Sequence, residues 1–300
     1  MIEDRNVTKK FEDFVALNDM SCNIPNGCIY GMVGSNGAGK STFLRLLTGV
    51  YKPDKGSIII DEQPVYENPK AKAHIAYVPD ELYFLPNATL DRMSKLYESC
   101  YENFDRTRYK ELVDAFRLAP NKSLNTFSKG MKRQASTILA LSCKPDYLFF
   151  DETFDGLDPV MRNLVKSIIC SDVTGRNATA IITSHSLREL EDTCDQLALL
   201  HKGGLVLESD IDNLKTSLFK IQIAFGKDFS KEDFTDISML HFSKKGSVAN
   251  IIAKGDKEAT ITRLRNMQPL ILDVLPLSLE EVFTYEMEAL GYSFSDIIEA

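Results

Sequence analysis

The chain has 300 residues, 44% of them hydrophobic and 26% charged, and a net charge of −8. That size accommodates one large domain and a small one, and the balance is that of an ordinary globular protein. The acidic charge, with no long Lys/Arg run, argues against broad binding to nucleic-acid backbone or anionic lipid. No apolar stretch approaches the roughly 18 residues that cross a bilayer. The opening Met1-Ile2-Glu3-Asp4-Arg5 lacks the apolar core of a signal peptide. A cytoplasmic chain is therefore expected, and any membrane span must come from another chain. The six cysteines form no C-x-x-C pair and have no His at zinc-like spacing, so they are expected to be small buried residues.

In chain order, Cys28–Val33 reads as a strand ending in a Gly-rich turn. Lys40–Leu47 reads as a helix stopped by Gly49. A Lys-Pro-Asp-Lys-Gly turn precedes the strand Ser57–Ile60, and Ile75–Val78 is another strand. Three segments of helical periodicity follow, Leu90–Tyr101, Arg106–Leu118 and Gly130–Ser142, which predict a helical insert over about 86–143. Strand and helix alternate again: strand Tyr147–Asp151, helix Val160–Ser171, strand Ala178–Thr183, helix Ser186–Thr193. The short strands Gln196–Leu200 and Gly204–Glu208 close the series, which is the pattern of an α/β domain with a mostly parallel sheet. From about 216 a second unit is expected. Its strands are Phe219–Phe225, Met239–Ser243, Val248–Ala253 and Leu270–Val274, with helices Lys257–Met267 and Leu279–Leu290. The order suggests a small α/β domain of reduced ferredoxin-like type.

The densest chemistry lies in Gly34-Ser35-Asn36-Gly37-Ala38-Gly39-Lys40-Ser41-Thr42, which fits G-x-x-x-x-G-K-[ST] between a predicted strand and a predicted helix. Its glycines let successive N–H groups face one anion, and the helix N-terminus adds its dipole. Lys40 would reach the β- and γ-phosphates and Ser41 would ligate Mg²⁺. The bare pattern arises by chance in roughly one chain of this size per hundred, and the strand–turn–helix context lowers that. Further on, Tyr147-Leu148-Phe149-Phe150 makes a buried strand that delivers Asp151 beside the loop as a second Mg²⁺ ligand. Glu152 follows, placed to polarise an attacking water.

With these motifs in place the chain resembles an ATP-binding cassette (ABC) ATPase over roughly Val7 to Glu208. Asn125–Gln134, containing Ser128-Lys129-Gly130, resembles the family signature L-S-G-G-Q. Asp155-Gly156-Leu157-Asp158-Pro159 resembles the D-loop, with Asp158 at the subunit interface, and Thr183-Ser184-His185 resembles the switch histidine. Tyr77-Val78-Pro79-Asp80-Glu81 falls at the Q-loop, and Phe11 aligns with the aromatic that stacks on adenine, although Phe14 lies close. The resemblance implies a P-loop NTPase (RecA-like) core with an antiparallel β portion and a helical insert. It also implies an ATP- and Mg²⁺-dependent ATPase that works as a sandwich of two subunits, identical or paralogous.

In that sandwich one subunit supplies Lys40, Ser41, Asp151, Glu152 and His185, and its partner supplies Ser128 and Gly130 to the γ-phosphate. A separate transmembrane permease is the implied client, which would hold the chain on the inner face of the membrane. Leu82-Tyr83-Phe84-Leu85-Pro86 is a candidate docking strip, or else core of the insert. Two departures stand out: Asp80 replaces the usual Gln and would approach the metal on a shorter arm, and Lys129 and Met131 replace commoner signature residues. Both recur in bacterial multidrug- or peptide-exporter-like members. The rival readings are a soluble ABC ATPase and a non-hydrolysing regulatory subunit. A single cassette, the absence of long heptads and the acidic charge disfavour the first, and the intact Lys40, Asp151, Glu152 and His185 set disfavours the second.

Overall fold

A computed structural model of the chain describes residues 1–289 and Gly291. They divide into two compact units, one Met1–Glu208 and the other beginning at Ser209. The expected junction at 215/216 lies several residues later, inside a short helix.

The first unit opens with β1 (Ile2–Phe11) and β2 (Phe14–Ile24), followed by β3 (Ile29–Val33) and helix α1 (Lys40–Leu47). Next come β4 (Lys55–Ile60), β5 (Gln63–Pro64), the four-residue helix α2 (Pro69–Lys72) and β6 (Ile75–Val78). The helical insert holds α3 (Leu90–Cys100), α4 (Arg106–Phe116) and α5 (Lys129–Ser142). Then come β7 (Tyr147–Phe150), α6 (Pro159–Arg176), β8 (Thr179–Ser184), α7 (Leu187–Glu191), β9 (Gln196–His201) and β10 (Gly204–Asp210).

Two sheets result. β1 pairs antiparallel with both β2 and β4 in the order β2-β1-β4-β5. The central sheet runs β10-β9-β3-β8-β7-β6, and every pairing from β9 to β6 is parallel. Its strands β3, β7 and β8 are buried along their whole length, which fits their continuous apolar runs and helix-covered faces. One core cluster joins the two sheets, with Ile2, Leu17, Met20 and Ile24 from the first, Tyr30, Met32, Phe149 and Ile181 from the second, and Phe43 and Leu47 from α1. Because β6, β7, β8 and β3 are parallel, their carboxyl ends share one edge, where ligands of open α/β sheets bind.

The second unit comprises α8 (Ile211–Ser217), β11 (Leu218–Ala224), β12 (Met239–Lys245), β13 (Val248–Lys254), α9 (Lys257–Arg265), β14 (Ile271–Leu275) and α10 (Leu279–Ala289). Leu290, the expected last residue of α10, lies outside the described residues. The sheet order is β12-β13-β11-β14, antiparallel throughout. This is the strand order of a ferredoxin-like fold whose first crossover helix has shrunk to the 3₁₀ turn Lys231–Phe234. Phe225, Phe229 and Phe234 pack edge-on and tilted within 5.0–6.2 Å to fill its core.

Four cysteines are buried as expected, but Cys100 is exposed and Cys170 only partly covered; all six are free thiols.

Candidate active site

The loop between β3 and α1 turns on Gly39, whose φ of +106° is closed to residues with a side chain. A Cβ there would also lie 2.7 Å from the Ala16 carbonyl of β2. Gly39 is the N-cap of α1 and offers no side-chain acceptor, so the first-turn N–H groups are left for a ligand. Lys40 begins the helix and is buried. Its Nζ donates to the carbonyls of Gly34 (2.6 Å) and Ser35 (3.1 Å) and lies 3.3 Å from Glu152 Oε1.

Asp151 leaves the end of β7 fully buried, with its charge met by three hydroxyls. Oδ1 accepts from Ser41 Oγ (3.1 Å) and Thr183 Oγ1 (2.8 Å), and Oδ2 accepts from Tyr77 OH (3.2 Å). Burial first, and then the adjacent Asp151 carboxylate, pushes the Tyr77 phenol well up, so it stays a donor. Glu152 takes a left-handed φ of +47°, a conformation costing about 1–3 kcal/mol in a residue with a side chain. Its N–H is fixed by Thr183 Oγ1 (3.0 Å), and its other carboxylate oxygen, Oε2, lies 3.0 Å from His185 Nδ1. Glu152 therefore bridges Lys40 and His185.

A cavity of about 200 Å³ sits over this cluster. It is lined by Asn36–Thr42 of the loop together with Ala16, Phe14, Asp80 and Glu152. Ser128, Gly130, Asp158 and His185 are not part of its lining. Phe11 also lies outside it, edge-on to Tyr51 at 5.3 Å, so the aromatic facing this cavity is Phe14, which is 61% exposed. Asp80 does line the cavity, yet its Oδ1 accepts from Arg133 Nη2 at 2.8 Å. That bond gives Asp80 Oδ1 a cationic partner in addition to the residue's place in the cavity lining, where a metal-ligand role is expected of it. Arg133 follows Lys132 in the signature segment, and no local sequence signal distinguishes it as a buried cation.

The signature and D-loop residues are ordered by local bonds. Ser128 caps α5, its Oγ accepting from Met131 N at 3.2 Å, and Asp158 caps α6 through Val160 N and Met161 N, both 3.0 Å from its Oδ1. A Cβ on Gly130 would approach the Gly156 carbonyl to 2.8 Å, so the residue must be glycine for the two segments to touch. Lys129 Nζ and Asp155 Oδ2 pair at 2.7 Å beside that contact, holding the Asp155 carboxyl below its usual range. Leu82–Pro86 is surface, not insert core: Tyr83 is 78% exposed and Leu85 is exposed too.

A glycine loop that turns a parallel strand into a helix, tied through its hydroxyl to a strand-end carboxylate, defines a P-loop nucleoside-triphosphate hydrolase. The sequence model of the family described as "ABC transporter" matches residues 17–155. The ABC transporter ATP-binding protein YtrB of Bacillus subtilis (strain 168) is 32% identical over 286 residues, covering 94% of this chain and 97% of that protein. The daunorubicin/doxorubicin resistance ATP-binding protein DrrA of Streptomyces peucetius is 31% identical over 226 residues, 72% of this chain and 67% of that one. Among solved structures, the dimeric post-hydrolysis state of the ATP-binding cassette MJ0796 bound to ADP and Pi superposes with a TM-score of 0.64 at 21% identity. It covers 70% of this chain and 99% of that one, which establishes likeness of fold. The chain belongs to the ABC transporter ATP-binding family, and it is an ATPase that binds ATP as a transporter subunit.

Proposed function

We propose that two copies of the chain, or one copy and a paralogue, close on ATP and Mg²⁺ and reopen on hydrolysis, driving a separate membrane permease. The observation that carries this reading is Glu152 poised between Lys40 (3.3 Å) and His185 (3.0 Å) at the mouth of the phosphate cavity. The oxygen donors of Ser41 and Asp151 suit a hard divalent cation, and these two residues would hold Mg²⁺, which supplies charge neutralisation of the β- and γ-phosphates. Lys40 would leave the loop carbonyls for the phosphates. Glu152 orients the attacking water and takes its proton, and His185 holds Glu152 and reaches toward the γ-phosphate.

Ser128 and Gly130, away from their own chain's cavity, would serve the partner's γ-phosphate from the N-terminus of α5. MJ0796 is described as a dimer with ADP and Pi, which supports the same arrangement here. The exposed strip Leu82–Pro86 offers Tyr83 and Leu85 to the permease. No helix among the described residues is long and apolar enough to cross a membrane, and we place the chain on the cytoplasmic face through that permease.

The test is affinity purification of the tagged chain from detergent-solubilised membranes. Co-purification of a multi-span protein, lost when Tyr83 and Leu85 are changed to Asp, is the expected result. Recovery of the chain with no membrane protein would remove the transport reading.

A further inference from the structure

Asp80 stands where the family resemblance expects Gln, and the residue takes part in two neighbourhoods. It lines the phosphate cavity beside Ser41 and Glu152. It also forms a salt bridge at 2.8 Å with Arg133, one turn into α5, whose side chain is 0% exposed while that of Asp80 is 45% exposed. Arg133 Nη1 donates to the carbonyls of Pro79 (3.1 Å) and Asp151 (3.2 Å), and its Nε has no hydrogen-bond partner among the described residues. A guanidinium withdrawn from water is tolerated only when paired and hydrogen-bonded, and removing one member strands the other. Among the described residues, Asp80 is the carboxylate in salt-bridge contact with this cation.

We propose that Arg133 holds Asp80 off the metal as an internal counter-ion. Asp80 then acts as a positioning residue that couples the phosphate cavity to the helix carrying Ser128 and Gly130. The proposal rests on the ATPase reading above. One guanidinium grips the Asp80 side chain, the chain end of β6 at Pro79 and the main chain of Asp151, whose own side chain bonds Ser41. A move of Asp80 into the cavity would break the salt bridge of a buried Arg133 and leave its guanidinium with the carbonyls of Pro79 and Asp151 as hydrogen-bond acceptors. A move of Arg133 carries α5 with it. The pair is thus a rigid strut from the phosphate site to the segment offered to the partner subunit. A glutamine at position 80 would lack the charge to form it.

The experiment compares Asp80→Asn, Asp80→Glu, Arg133→Gln and the double variant Asp80→Asn/Arg133→Gln. Turnover, KM for ATP, Mg²⁺-dependent binding of a fluorescent ATP analogue and thermal unfolding are measured on each. Asp80→Asn should lower turnover about tenfold or more, with KM and the Mg²⁺ midpoint of analogue binding changed less than about twofold. Asp80→Glu, which restores the charge, should recover part of the turnover. The double variant should be no worse than Asp80→Asn alone, because the stranded charge is gone, and its unfolding should be similarly non-additive.

A tenfold shift in the Mg²⁺ midpoint with Asp80→Asn, absent with Arg133→Gln, would make Asp80 a metal ligand and overturn the proposal. Multiplying losses in the double variant would do so too. Should Arg133→Gln not fold, Arg133→Lys, which keeps the charge but not the fork, carries the same comparison. If the unmodified chain hydrolyses no ATP, the ATPase reading fails by itself, while analogue binding and the unfolding cycle still judge the pair.

Discussion

Ser41 Oγ donates to Asp151 Oδ1 across 3.1 Å, although 110 residues separate them in the chain. The bond joins the phosphate loop to the strand-end carboxylate, and Thr183 and Tyr77 complete the shell around Asp151. Asp151→Asn should therefore do two kinds of damage. Its amide cannot accept from all three hydroxyls, so stability should fall by about 1–3 kcal/mol. ATPase activity should fall at least about a hundredfold, with a raised Mg²⁺ requirement. Urea unfolding and an Mg²⁺-titrated hydrolysis assay measure the two effects separately.

Glu152→Gln keeps the shape of the side chain and removes the charge that orients water. Turnover should drop more than about a hundredfold while ATP binding persists, so the variant should collect as a closed dimer. Gel filtration with ATP and Mg²⁺ should show that dimer, and mostly monomer without nucleotide. Hydrolysis at the unmodified rate would move the catalytic carboxylate elsewhere.

Ser128→Arg and Lys40→Ala should separate binding from turnover. Ser128 is exposed and lies outside its own chain's cavity, whereas Lys40 lines it. Titration of a fluorescent ATP analogue at monomer concentrations should show near-normal affinity for Ser128→Arg and affinity weakened roughly tenfold or more for Lys40→Ala. Both should lose hydrolysis. Equal weakening of binding would put the signature in the same site in cis.

The adenine platform can be assigned by two truncations. Family resemblance points to Phe11, but the cavity is faced by Phe14, while Phe11 rests edge-on against Tyr51. Phe14→Ala should weaken ATP binding several-fold, more than Phe11→Ala, with the GTP-to-ATP affinity ratio rising in parallel. The reverse order would return the role to Phe11.

Stability should depend on pH through Asp4. This carboxyl is 2% exposed, accepts from Cys22 Sγ at 2.7 Å, and burial pushes its pKa from 3.8 up to about 6. A raised folded-state value means that the protonated form is favoured in the native chain. The associated stability is present below pH 4 and is lost as pH rises through 6, at a cost approaching roughly 3 kcal/mol above it. Asp4→Asn should therefore raise the unfolding midpoint at pH 7.5 and leave it little changed at pH 3.5. A midpoint lowered equally at both values would mean that the charged form is the stabilised one.

The phosphate loop and its companion carboxylates were legible because glycine spacing, a four-residue apolar strand and the acids after it are all local signals. The helices of the insert were legible for the same reason, each with its period intact. β1 and β2 escaped a strand reading because register shifts between Asp4 and Lys10 break the two-residue alternation. α2 is four residues long, too short for any period to show. Arg133 and Asp80 lie 53 positions apart, and nothing around either marks a buried cation. Tertiary partnership of that kind has no local signature. Phe11 and Phe14 differ only in which way a strand end and its turn face, which composition does not encode.

The contact of Gly130 with the Gly156 carbonyl, stapled by Lys129 and Asp155, has an effect on inheritance between subunits. In the proposed sandwich, what one chain lends to its neighbour's nucleotide is prebuilt by bonds within the lender, and loss of Lys40 from the lender's own phosphate loop breaks none of those bonds. A mixed pair with one crippled loop should thus retain a fully furnished opposite site. Gene duplication followed by decay of one site is open to such a chain without loss of the other, and asymmetry between partners is a short evolutionary step from the architecture seen here.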